Sequence, residues 1–170
     1  MPQAKGKPVI MTSFMDASLY HCKVMGRSVT GVIHMLNKTP IDFYTKKQGT
    51  VETATYGSEF VAAKTCVEQV ITLRHELRMM GIPIMGSTYM FGDNQSVILS
   101  STVPESTLRK RNVAMSYHAV QAAIAAGIVM FFHIKSEDNP SDILTKFLPN
   151  HKWWPLLKHL LHWNTDTQDN

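Results

Sequence analysis

The chain has 170 residues, 44% of them hydrophobic, enough to bury one sizeable core with no obvious second domain. Its 17 Lys and Arg against 13 Asp and Glu give a formal charge of +4 and a pI near 9.1, which permits a polyanionic partner without requiring one. The apolar runs fall far short of a bilayer span, no signal region follows the basic N-terminus, and Cys22 and Cys66 lie outside any CxxC or mixed Cys/His spacing; the pattern is that of a soluble cytosolic or nuclear protein, or of a segment of something longer, with neither a disulfide scaffold nor a structural zinc site indicated.

Residues 9 to 15 (Val-Ile-Met-Thr-Ser-Phe-Met) are more continuous than alternating in their apolar pattern, which predicts a central strand that delivers Asp16 at its carboxyl end. The mixed stretch 17 to 28, with Lys23, Gly26 and Arg27, reads as an exposed excursion. A second strand follows over Val29 to Leu36, and Asn37-Lys38 makes a turn. Pro40 to Tyr44 form a third strand, edge-like because proline gives up a donor. Strands joined this tightly make an antiparallel meander. The polar loop Thr45 to Thr55 carries Lys46 and Lys47 and leads to the longest helix, with Ser58 as N-cap and Glu59 in a first turn whose dipole favours an acid. Ala63, Cys66, Val67, Val70, Leu73 and Leu77 recur at three- and four-residue spacing and give this helix its buried stripe, and Gly81-Ile82-Pro83 stops it.

Thr88 to Phe91 form a short strand ending at Gly92-Asp93-Asn94-Gln95, after which a helix starts over Ser96 to Ser100. Pro104 to Asn112 is turn-like and basic, with Arg109, Lys110 and Arg111. A helix over Ala114 to Ala125 sets Met115, His118, Ala119 and Ala122 on one side, and Gly127 closes it. Residues 128 to 134 are the clearest strand, Lys135 to Ser141 a polar loop, and Asp142 to Lys146 a short helix. Trp153 to Leu161 form an amphipathic helix whose Trp153 and Trp154 pack it on the body. These boundaries divide the chain into a flexible segment 1–8, a domain 9–150, a C-terminal helical segment 151–163 and a disordered tail 164–170. The order is that of an α/β domain with a mixed sheet and helical cover, where ligands collect beyond the carboxyl ends of parallel strands.

Asp16, Glu59, Asp93 and Asp142 share one property: each stands at a strand end or a helix start. If the first strand is central and the fourth pairs beside it, Asp16 and Asp93 emerge at one edge. Carboxylates crowded there repel unless protonated or neutralised. An oxygen-only cluster suits Mg²⁺ or Mn²⁺, and two such ions about 4 Å apart activate a water and stabilise a leaving oxygen.

The motifs Phe14-Met15-Asp16-Ala17, Arg27-Ser28-Val29-Thr30-Gly31, Ala54 to Ala63, Asp93-Asn94-Gln95-Ser96 and Asp142-Ile143-Leu144-Thr145-Lys146 stand in an order and spacing that resembles the ribonuclease H domain of Ty1/copia-type retrotransposon polyproteins, over nearly all of residues 9 to 150. The resemblance implies a ribonuclease H-like fold, a five-stranded mixed sheet crossed by the long helix. It also implies hydrolysis of the RNA strand of RNA–DNA hybrids during reverse transcription. The family's catalytic and metal-binding acids fall on Asp16, Glu59, Asp93 and Asp142, with two Mg²⁺ ions as cofactors for which Mn²⁺ substitutes. In that scheme Asp16 bridges both ions, Glu59 and Asp93 complete the ion nearer the leaving 3′ oxygen, and Asp142 holds the ion that activates water.

Asn94 and Gln95 are placed near the sugars, and Lys46, Lys47, Arg109, Lys110, Arg111 and Lys146 are candidate contacts to the nucleic-acid backbone. The expected partners are the hybrid itself and a reverse transcriptase polymerase domain in the same polyprotein, in the cytoplasm within retrotransposon particles, with the nucleus as the alternative. Departures from the family are Ser18 where many relatives carry a second acid, and the loop 135–141, which lacks a histidine and offers only Glu137 and Asp138. An integrase or transposase core, and a degenerate binding remnant of the same fold, are the competing readings.

Overall fold

The computed structural model describes residues 6–22, 26–49, 51, 54–103 and 113–161. Five strands, β1 (Met11–Cys22), β2 (Arg27–Leu36), β3 (Thr39–Lys47), β4 (Thr88–Gly92) and β5 (Val129–His133), form one mixed sheet in the order β3-β2-β1-β4-β5. The first three are an antiparallel meander, and β4 and β5 run parallel to β1 and to each other. β1 is therefore central, as its continuous apolar run predicts. It is longer than that run: the stretch after Asp16 is not an excursion but continues as strand, because residues as far as Ser18 still ladder against β2. What stops early is the parallel pairing with β4, at Phe14↔Phe91.

Period-two alternation sorts β1 between two faces. Met11, Ser13, Met15 and Ala17 are buried beneath α1 (Thr55–Met79), whose Phe60, Ala63, Cys66, Val67, Val70 and Leu77 form the core with them. Each of the Met, Val, Leu and Phe side chains among these, fully buried, contributes about 1.5–3 kcal/mol. The predicted stripe holds, but the helix begins earlier than Ser58. Ala54 is the N-cap, and the Ser58 hydroxyl donates back to the Thr55 carbonyl instead of capping. Glu59 thus falls past the first turn, which contains no acid.

Gly81, at φ +78°, ends α1 with a Schellman pair: its N–H donates to Arg78 O, and Ile82 N–H donates to Leu77 O. α2 (Gln95–Thr102) follows β4. α3 (Ala114–Ala125) buries Tyr117, Val120 and Ala123, not the predicted side, and leaves Met115 82% exposed. Its small alanines gave two faces of nearly equal apolarity, and Tyr117 against Phe60 decides between them. On the opposite sheet face lie α4 (Asp142–Thr145) and α5 (Asn150–Leu161), beside the ring contacts Phe14–Phe91 and Phe91–Phe132. α5 starts ahead of Trp153, and Leu156 is its buried anchor; Trp153 and Trp154 remain 37% and 41% exposed. No helix among the described residues is long and apolar enough to cross a membrane.

Candidate active site

The last parallel rung, Phe14↔Phe91, explains how two distant acids meet: Asp16 and Asp93 each lie two residues beyond it, on neighbouring strands running the same way. Asp142 arrives from α4, which settles on β2 over Gly31, the residue paired with Asp16. A Cβ at Gly31 would meet Thr145 Cγ2 at 2.6 Å, Leu144 Cβ at 3.0 Å and Ser141 O at 3.1 Å, so only a bare backbone lets α4 come this close. Asn139, fully buried, latches the preceding loop to β1: its Nδ2 donates to Met15 O at 3.1 Å, and its Oδ1 accepts from Ser141 N at 3.2 Å and Ser141 Oγ at 2.6 Å. Glu59 comes from α1 on the other side, its Oε1 accepting from Ala17 N at 3.3 Å, immediately beside Asp16.

One carboxylate oxygen from each of Asp16, Asp93 and Asp142 falls within 4.8 Å of the others. Ser136 Oγ lies 2.7 Å from Asp93 Oδ2, to which it donates, and 3.3 Å from Asp142 Oδ2. The Thr145 hydroxyl donates to Asp16 Oδ2. Lys146 Nζ stands among all three, 3.1 Å from Asp16 Oδ1, 2.9 Å from Asp142 Oδ2 and 3.6 Å from Asp93 Oδ2. Two further oxygens, Glu59 Oε2 and Asp142 Oδ1, are buried with no hydrogen-bond partner among the described residues.

Such crowding has an electrostatic signature. Burial, then the negative charges of Asp16 and Asp93, push the Glu59 carboxyl well above its usual range. Asp142 is pushed up to about 6 by burial and by Asp16, a rise that Lys146 partly offsets. Burial alone would lower the Lys146 ammonium, but Asp16 and Asp142 override it and hold the group above its ordinary value. The cluster is short of positive charge. Hard oxygen donors, no thiolate or imidazole among them, and two orphaned buried oxygens fit a divalent cation of the Mg²⁺ kind.

All four predicted acids therefore converge, and Asn94 and Gln95 line the same pocket as Asp16 and Glu59. Asn94 is also the N-cap of α2, its Oδ1 accepting from Val97 N at 3.2 Å, which leaves its amide N–H₂ for a ligand. Lys46 and Lys47 are exposed, but they lie at the end of β3, not in a loop, and consecutive strand residues lean to opposite faces. Lys146 is drawn in among the acids. Arg109, Lys110 and Arg111 lie outside the described residues. Glu137 pairs with Lys135 at 3.8 Å on the surface, and Asp138 lines the groove under α5, away from the acid pocket.

Thr145 and Lys146 stand three and four residues after Asp142, a spacing that sets all three on one helical face and signals a shared role. Ser136, Asn139 and Gly31 sit in loop and strand contexts with no periodic signal, and the sequence does not single out their contacts.

No protein-family model matches the chain. Among solved structures, the N-terminal RNase H domain of a Mycobacterium tuberculosis protein superposes with a TM-score of 0.62 at 11% identity, covering 88% of this chain and 97% of that one. LC11-RNase H1, isolated from compost and solved with an RNA/DNA hybrid, does so at 0.62 and 13%, covering 79% and 93%. The foamy viral protease-reverse transcriptase bound to an RNA/DNA hybrid gives 0.55 at 12%, with 79% of this chain on 19% of the larger one. The molecule is a domain of the ribonuclease H fold, with its acids at the carboxyl edge of the sheet. In sequence, it is 24% identical over 148 residues to the retrovirus-related Pol polyprotein from transposon TNT 1-94 of Nicotiana tabacum, 87% of this chain and 11% of that protein. It is 23% identical over 142 residues to that from transposon RE1 of Arabidopsis thaliana, 84% of this chain and 10% of that protein. Fold and sequence likeness together place the chain beside the retrovirus-related Pol polyproteins of plant transposons as a domain similar in fold to ribonuclease H, and the chain spans about a tenth of the length of these curated relatives.

Proposed function

We propose that this domain hydrolyses the RNA strand of RNA–DNA hybrids, leaving 3′-hydroxyl and 5′-phosphate ends, in the course of retrotransposon reverse transcription. The observation that carries the reading is the convergence of Asp16, Asp93 and Asp142 with buried Glu59, in a cluster where Glu59 Oε2 and Asp142 Oδ1 have no hydrogen-bond partner among the described residues. Asp16, Glu59, Asp93 and Asp142 would hold a pair of Mg²⁺ ions, with Mn²⁺ as a substitute. When bound, these supply Lewis acidity that lowers the pKa of water and offsets charge on the leaving oxygen.

The chain's own groups do the rest. Thr145 and Ser136 fix the orientation of the Asp16 and Asp93 carboxylates by donating to them. Asn94 and Gln95, at the rim, offer amides to the 2′-hydroxyls that distinguish RNA from DNA. Lys47 and the basic run Arg109 to Arg111 supply phosphate contacts that orient the duplex without reading its sequence. The polymerase domain of the same polyprotein is the natural partner, and particles in the cytoplasm the natural place of action.

Asp93→Asn keeps the side chain's shape and removes its charge, and is expected to lower hybrid cleavage in Mg²⁺ by on the order of 10²-fold or more while hybrid binding persists. Unchanged cleavage would sink the scheme. A parent domain inert with both Mg²⁺ and Mn²⁺ would favour a binding remnant, and cleavage of duplex DNA in place of hybrid would favour an integrase-like core.

A further inference from the structure

We infer that Lys146 is a tethered counter-ion of the acid cluster, one that occupies the space among Asp16, Asp93 and Asp142 until a divalent cation displaces it. Loading the site is then an exchange of one cation for another. The inference rests on the reading of these acids as cation ligands, and it adds that the chain carries its own competitor for them.

The geometry leaves little alternative. Lys146 Nζ contacts oxygens of all three aspartates, at 3.1, 3.6 and 2.9 Å, within a cluster whose oxygens lie 4.8 Å or less apart. A hard divalent ion takes carboxylate oxygens at about 2.0–2.1 Å, so one seated on these same atoms would be in near contact with the ammonium and repelled by it. Both cannot stay. The arm is also free to leave: Lys146 is the C-cap residue of α4, in extended conformation beyond the last helical turn, and its side chain is 30% exposed, unlike the Asp16 and Asp142 side chains at 1% and 6%. Among the described residues its further hydrogen bond is weak, a 3.4 Å approach to Ser136 Oγ. Glu59 Oε2 and Asp142 Oδ1 are not served by Lys146 or by any other donor among the described residues, so the ammonium balances the cluster only in part. That partial match keeps the acids assembled yet leaves a reason for a divalent ion to replace it.

Mn²⁺ titration of the metal-free domain, read by calorimetry and by the Mn²⁺ spin signal, tests this without reference to cleavage. Lys146→Met is expected to bind Mn²⁺ about ten-fold or more tightly than the parent, and to melt at a lower temperature than the parent without metal but not with saturating metal. Lys146→Arg keeps a cation in place and is expected to retain weak binding. Equal or weaker Mn²⁺ affinity in Lys146→Met overturns the inference and leaves the nuclease proposal standing. Tighter affinity in a domain that cleaves no hybrid supports the inference and sinks the nuclease. No binding by either protein sinks both. Should Lys146→Met not fold, the parent alone answers through acetic anhydride labelling read by mass spectrometry. Mg²⁺ is expected to raise the labelling rate of Lys146 several-fold relative to Lys38 or Lys158, and an unchanged ratio overturns the exchange.

Discussion

Gly31 shows how much a single missing atom can hold in place. It pairs with Asp16 across the β1–β2 ladder and carries α4 on its open face, so the distance between Asp16 and Asp142 is set by the absence of a Cβ there. Gly31→Ala drives a methyl to within 2.6 Å of Thr145 Cγ2 and near backbone at Ser141 O, which cannot yield as a flexible side-chain end would. The expected outcome is a loss of about 1–3 kcal/mol in denaturant unfolding, as overpacking in a tight contact costs. Cleavage is expected to fall by on the order of 10-fold or more beyond that, since α4 must back away and take Asp142, Thr145 and Lys146 with it. A variant with parental stability and parental cleavage would show that α4 accommodates the methyl without moving its acid. The sequence places Gly31 inside a recognisable motif, but its reason is a contact between residues over a hundred positions apart, which no local pattern encodes.

Between elements, the sheet and α1 are joined by a buried polar thread as well as by apolar packing. His34 of β2, fully buried, bonds through Nδ1 to Ser13 Oγ of β1 at 2.7 Å and through Nε2 to Gln69 Oε1 of α1 at 3.1 Å. Since Gln69 Oε1 only accepts, Nε2 carries the proton and Nδ1 accepts the Ser13 hydroxyl, which describes a neutral ring. Burial lowers the His34 pKa below its ordinary 6.5, against smaller raising effects of Gln69 and Asp42. A depressed histidine is uncharged in the fold while the unfolded chain takes up its proton first. Its contribution is therefore complete above pH 6.5 and is lost as pH falls through the lower folded value. Unfolding midpoints of the parent and His34→Gln, compared from pH 7.5 down to pH 5, are expected to converge as the pH drops, because the variant lacks this titration. A constant gap would mean that His34 titrates alike in the folded and unfolded chain, and a gap that widens as pH falls would mean that the fold favours the protonated ring.

The same scale separates what was legible in the sequence from what was not. Strand and helix cores were readable wherever one apolar period dominates, as in β5 and the α1 stripe. Reading failed where the decision belongs to a neighbour: β1 continues past Asp16 because β2 offers it a ladder, α3 turns Tyr117 inward because Phe60 is there to meet it, and α1 starts at Thr55 without a side-chain cap. Asp16 and Asp93 are legible as a pair because a rung of parallel pairing converts sequence position into a shared edge, whereas Glu59 and Asp142 come to that edge on helices and are singled out by the family resemblance. Lys146 is legible as a cation whose sequence context points to phosphate, since nothing along the chain says that α4 folds back onto Asp16.

For the whole molecule, the acidic pocket sits in a protein of net charge +4, so attraction for a polyanion must come from positive groups around a rim whose centre is negative. The register of the sheet ranks the two lysines of β3. Ser18, Val29 and Lys47 form one cross-strand row, on the face that carries Asp16 and α4, and Ser18 lines the acid pocket; Lys46 is in the next row, with Thr30 and Ala17, on the face under α1. Two strand spacings, about 10 Å, separate Lys47 from Ser18, well within the width of a duplex whose scissile phosphate reaches the acids. Lys47→Ala is therefore expected to weaken hybrid binding and to reduce the magnitude of the slope of log affinity against log salt by roughly one, as loss of one phosphate contact does, with little change in cleavage of saturating hybrid. Lys46→Ala should leave that slope near the parental value. If the two effects exchanged places, the duplex would have to approach over the α1 side of the sheet, and Thr55 and Ala17, rather than Ser18 and α4, would form the wall it meets first.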